Sequence, residues 1–109
     1  MPRITRPIAK DWSAEVELAI ATFGNIARTE ILRYLLEHGP AARGDIVANV
    51  GASEASVAKH LLLLEEAGTV VADVEPGRRH GRAPRYSVDR ARVRALLEAH
   101  LRYMTDPTS

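Results

Sequence analysis

No cysteine occurs among the 109 residues. That absence excludes disulfides, thiolate metal sites and cysteine nucleophiles together, and it agrees with a reducing cytoplasmic compartment. Also missing is any apolar run near the eighteen or so residues that a membrane span needs, so no membrane partner is expected. The opening "MPRITRPIAKDW" has no apolar middle of the kind a secretion signal carries, and the expected location is cytoplasmic. No motif sets a nucleophile beside a base or pairs an acid with a base. Ser13, Ser53 and Ser56 read better as helix caps or contact residues, and the acidic side chains are scattered over helix exteriors. The sequence therefore points away from an enzyme, and no catalytic residue, cofactor or metal ligand is assigned. No internal repeat is visible.

What is present suits one soluble domain. Apolar residues make up 46% and charged residues 27% of a chain long enough for a single core and too short for two. The net charge of +1 conceals a polarity along the chain. Residues 1–77 hold seven Lys/Arg against eleven Asp/Glu, whereas residues 78–109 hold eight against three. Such asymmetry points to a polyanionic partner.

Hydrophobic periodicity gives the elements. Residues 1–12, with two prolines and no period, read as an N-terminal arm, residues 13–104 as the folded domain and residues 105–109 as a tail. Ser13 caps a first helix, "AEVELAIATF", with Val16, Ile20 and Phe23 on one stripe and Glu15 and Glu17 near the positive end of its dipole. Asn25 caps a second, in which Ile31, Leu32, Leu35 and Leu36 form the apolar face and Gly39-Pro40 the stop. A short helix is expected over 43–50 with Ile46, Val47 and Val50 inward. Ser53 opens a fourth, "SEASVAKHLLLLEEAG", which Gly68 ends. Four consecutive leucines, 61 to 64, cannot all face one core, and Leu62 is the expected misfit. The period then changes to two: "TVVADVE" and "RYSV" read as hairpin strands around a long loop, "PGRRHGRAPRY". Asp89 caps a last helix carrying Val93, Leu96, Leu97, His100, Leu101 and Met104 at helical spacing. The fold class is mainly α with a small β-hairpin, in the order α-α-α-α-β-β-α.

Residues 46–64 form a short helix, a glycine and a capped helix. In a helix-turn-helix the steep crossing calls for a residue tolerant of positive φ and a branched apolar residue about six positions later. Gly51 and Val57 stand at that separation. The opposite face of the second helix, Ser53, Glu54, Ser56, Lys59 and His60, is polar and able to reach base edges or phosphates in a major groove. A hairpin directly after this pair completes the order of a winged helix. Arg78, Arg79, His80, Arg82 and Arg85 then become a cationic wing tip for the sugar-phosphate backbone or minor groove, with Gly77, Gly81 and Pro84 holding it extended.

Two stretches carry a family resemblance. "GNIARTEILRYL" (Gly24 to Leu35) and "GASEASVAKHLLLLEEAGTV" (Gly51 to Val70) are similar to the corresponding motifs of the ArsR-type winged-helix repressors, and the match continues through the wing to "RYSV". The resemblance implies a homodimer built by the first and last helices, through Val16, Ile20, Phe23, Val93, Leu96, Leu97, His100, Leu101 and Met104. It implies repression by binding double-stranded DNA at a pseudo-palindromic operator. Metal sensing is not implied for this chain. Where family members carry a cysteine pair the sequence reads "RGDIVANV", and where a second site is found it reads Asp89-Arg90-Ala91 and His100-Leu101-Arg102-Tyr103, with arginines at 90, 92 and 94 to repel a dication. The sequence names no release signal: a small organic ligand at the dimer interface, a partner protein, or nothing beyond the protein's own concentration are the alternatives. The rival reading is a winged-helix module for nucleoprotein architecture or protein interaction, without gene-specific control.

Overall fold

The computed structural model describes residues 13–79 and 83–106. The expected N-terminal arm, and His80 and Arg82 of the wing, lie outside the described residues. The elements run α1 (Ala14–Phe23), α2 (Ile26–His38), β1 (Ala41–Ala42), α3 (Arg43–Asn49), α4 (Glu54–Glu66), β2 (Val70–Ala72), a 3-10 turn (Pro76–Arg78), β3 (Arg85–Val88) and α5 (Arg90–Thr105). The architecture is that of a winged helix-turn-helix.

Four helices begin where a polar side chain can take over an orphan backbone donor. Ser13, Asn25, Ser53 and Asp89 accept from the N–H of Val16, Arg28, Ser56 and Arg92 at 3.3, 3.1, 3.2 and 3.0 Å. The end of α4 is equally defined. Thr69 N–H reaches back to the Leu64 carbonyl at 3.0 Å and Gly68 N–H to Glu65 at 2.9 Å, the two bonds of a Schellman motif. Gly68 holds φ at +82°, where a side chain would be strained and a Cβ would come 3.3 Å from the Arg92 side chain.

Gly51 differs from expectation. Positive φ occurs, among the described residues, at Gly39 and Gly68 and not at Gly51. The turn between α3 and α4 bends through extended backbone at Val50, with Ala52 N–H on the Val50 carbonyl at 2.9 Å. Val57 does pack back as the spacing requires, fully buried with Ile46.

The main core gathers Ile31, Leu32 and Leu35 of α2, Ile46 of α3, Val57, Leu61 and Leu64 of α4, and Val70 and Tyr86 of the sheet. Leu62 is exposed, as the four-leucine run predicts. A second cluster, Ala19, Ala67 and Leu96, joins α1, α4 and α5. The sheet has three strands rather than the two expected: β3 lies between β2 and β1, with Val71 opposite Ser87 and Ala41 opposite Tyr86. A two-residue strand leaves no alternation in sequence, so β1 had no period to reveal it.

Candidate nucleic-acid interface

Burial of Val57, Leu61 and Leu64 fixes which side of α4 faces the core, and so which side faces out. Ser53, Glu54 and Lys59 are exposed and Ser56 is half-buried. Ser53 already accepts from Ser56 N–H as the cap; its hydroxyl proton is still available to a phosphate or base acceptor. Glu54 meets Arg43 of α3 at 3.4 Å. On the wing, Arg78 and Arg85 are exposed. Arg85 is anchored from both ends: its backbone N–H donates to Asp73 Oδ1 at 2.9 Å and its guanidinium to the Pro40 carbonyl at 2.8 Å.

Two residues expected at the DNA surface are instead drawn into the protein. His60 is buried, and its Nδ1 accepts from Arg28 Nε of α2 at 3.1 Å. Arg28 also bonds the Ala21 carbonyl of α1, so one guanidinium ties three helices. Burial first, and then the Arg28 and Lys59 cations, lower the His60 pKa below its ordinary value and hold the ring neutral. Helical spacing set His60 beside the polar face; Val57 at i−3 and Leu64 at i+4 draw it inward. Arg79 is likewise engaged within its own protomer. Its two terminal nitrogens meet Glu65 at 3.2 and 2.6 Å, its Nε donates to the Val74 carbonyl at 2.9 Å, and it lies 5.8 Å from the centre of the Tyr86 ring. This bidentate pair locks the base of the wing onto the end of α4.

The residues expected between protomers also divide. Val16 and Leu96 are buried inside the protomer, where α1 packs on α5. Phe23, Val93 and His100 are half-buried. Ile20 of α1 and Leu97, Leu101 and Met104 of α5 remain 43, 45, 56 and 63% exposed, so α5 carries most of the outward apolar surface.

Two features escaped the sequence reading. Arg43, next to Glu54 on the same face, opens the short helix expected over 43–50, where sequence alone assigns it no role. Arg92 donates Nε to the Ala67 carbonyl at 3.0 Å, so it caps the negative end of α4 instead of standing free.

A model of bacterial regulatory proteins of the arsR family matches residues 26–71. Among solved structures, the cadmium metal-sensor CMTR from Mycobacterium tuberculosis is 35% identical to this chain, the alignment covering 78% of this chain and 79% of that one with a TM-score of 0.52. The chain belongs to the ArsR family of bacterial regulatory proteins. An ArsR-like transcriptional regulator from Rhodococcus sp. RHA1 shares the fold, with a TM-score of 0.67, 24% identity and coverage of 85% of this chain and 82% of that one. No curated protein matches by sequence. As an ArsR-type protein the chain is a non-enzymatic, DNA-binding regulator. Among the described residues no helix is long and apolar enough to cross a membrane.

A metal centre of the kind found in some ArsR-type sensors does not fit the residues present. Cysteine is absent, the Asp89 carboxylate is engaged as the cap of α5, and Arg92 lies one turn away from it. Among the described residues no three of His, Asp and Glu gather closely enough to hold a metal ion.

Proposed function

We propose that the protein is a homodimeric repressor that binds a pseudo-palindromic operator, with α4 of each protomer in a major groove and the wing against the flanking backbone. The observation that carries this reading is the division of α4 into a buried apolar face and an exposed polar one opening beside the wing. Ser53, Glu54, Ser56 and Lys59 are the groove contacts. Arg78, Arg85 and, beyond the described residues, His80 and Arg82 supply the wing contacts. Arg79 and His60 act indirectly, by fixing the wing and α4 in place.

The exposed apolar side chains of α1 and α5 support dimerisation. Solvent-exposed Ile20, Leu97, Leu101 and Met104 form a surface that a monomer would keep in water at a cost of about 25 cal/mol per Å². A second copy of the same face removes it, and two-fold symmetry then makes the half-sites inverted, with a spacing of about one helical turn where the two α4 helices enter successive major grooves.

Selection of bound sites from random duplex with the purified protein tests the reading. It should return inverted half-sites about one helical turn apart. Recovery of unrelated sequences would favour an architectural role, and the absence of any salt-dependent duplex binding would favour a protein-interaction module.

A further inference from the structure

Between α4 and the wing lies a cleft of about 400 Å³, walled in part by Arg43 and Gly44 of α3, Glu54 of α4, and Arg79, Pro84 and Tyr86 on the wing side. Among the described residues its two cations are held very differently. Arg79 directs all three guanidinium nitrogens at Glu65 and the Val74 carbonyl, and its ion pair is largely buried. Arg43 meets Glu54 through a single contact of 3.4 Å between side chains 48 and 72% exposed. That distance is at the long end of a hydrogen bond, and solvent screens it. A duplex phosphate competes well for the same guanidinium: both contacts are charge-assisted, but the phosphate contact alone releases a condensed counterion.

We propose that Arg43 is a phosphate clamp for which Glu54 stands in while no DNA is bound. The inference rests on the reading that α4 enters the major groove. On duplex binding the guanidinium exchanges the carboxylate for a backbone phosphate at the edge of that groove. No covalent bond changes; one ion pair replaces another. The released Glu54, at the first position of α4, then needs a donor, and the exocyclic amine of cytosine is one that a carboxylate reads in the major groove. Where the base pair offers no such amine, the carboxylate lies among phosphates with its cation gone and is repelled. The clamp therefore works on any sequence, while the freed carboxylate penalises the wrong one. Negative charge on a DNA-binding face is thereby turned into selectivity.

The test uses the whole chain, a duplex recovered by selection from random sequence, and a mixed-sequence duplex of equal length, each titrated over a salt series. R43A should lower affinity for both duplexes about fivefold near 0.15 M salt and flatten the slope of log affinity against log salt by about 0.9, the share of one phosphate contact. R43K should keep the wild-type slope. E54Q should bind the mixed duplex more tightly and the selected duplex more weakly, so that the ratio between them falls about tenfold or more. An R43A slope equal to that of wild type overturns the clamp, and an unchanged E54Q ratio overturns the readout by Glu54, in each case with wild type still preferring its selected duplex. A wild-type protein with no preferred duplex overturns the repressor reading and this proposal with it.

Discussion

At the scale of single residues, the described arginines of the wing separate into Arg79, held inside the fold, and Arg78 and Arg85, exposed to solvent. The bidentate pair of Arg79 with Glu65 is shielded on both sides and its Nε completes the set. R79A should destabilise the fold by about 1–3 kcal/mol in urea unfolding, by leaving Glu65 without its partner, and should leave the salt slope of DNA binding unchanged. R78A should do the reverse, flattening the slope by about 0.9 with stability unaltered within about 0.5 kcal/mol. His60 makes a pH prediction of definite sign. Its folded pKa lies below the ordinary 6.5, so the stability linked to the neutral ring is complete above that value and is lost as pH falls through the folded pKa. H60N keeps an acceptor for Arg28 without titrating. Unfolding measured between about pH 7 and pH 5 should therefore show wild type losing stability that the variant retains. Neither role was legible in sequence, because periodicity assigns a residue to a face and cannot say which partner a distant element brings to it. Glu65 and Arg79 are fourteen positions apart, and Arg28 and His60 thirty-two.

At the scale of elements, local chemistry was highly legible. All four side-chain caps, the stop at Gly68 and the change of period after it could be read directly, since each is settled within four or five residues. The misses are the elements with little local signal. The two-residue β1 exists through its pairing with β3, and the turn at Gly51 is closed without the positive φ that its glycine suggested. Gly68 does use that freedom. G68A should lower stability by about 1 kcal/mol or more in urea unfolding, from the strained backbone together with the contact against Arg92. The pairing of α1 with α5 accounts for Val16 and Leu96 as protomer core and leaves a second apolar face outward. If that face joins two protomers, L97E combined with L101E should sediment as a monomer at concentrations where wild type is a dimer. The double variant should keep its helical content, because neither side chain is buried within the protomer.

At the scale of the whole molecule, the charge polarity read from the sequence acquires a direction. The basic C-terminal third supplies both the wing and α5, yet Arg79 and Arg92 are occupied inside the protomer. The cations left to face a polyanion are therefore fewer than composition suggests, and on the exposed face of α4 Lys59 and, beside Glu54, Arg43 add to them. A dimer presents two such faces, and its selectivity multiplies across two half-sites while a single protomer grips weakly. The central claim is that this surface reads sequence as well as charge. Its most direct measurement is the equilibrium affinity of the purified protein for a selected duplex and for the same duplex scrambled, at one physiological salt concentration. The account predicts a preference of about a thousandfold or more. Equal affinities for the two would contradict it.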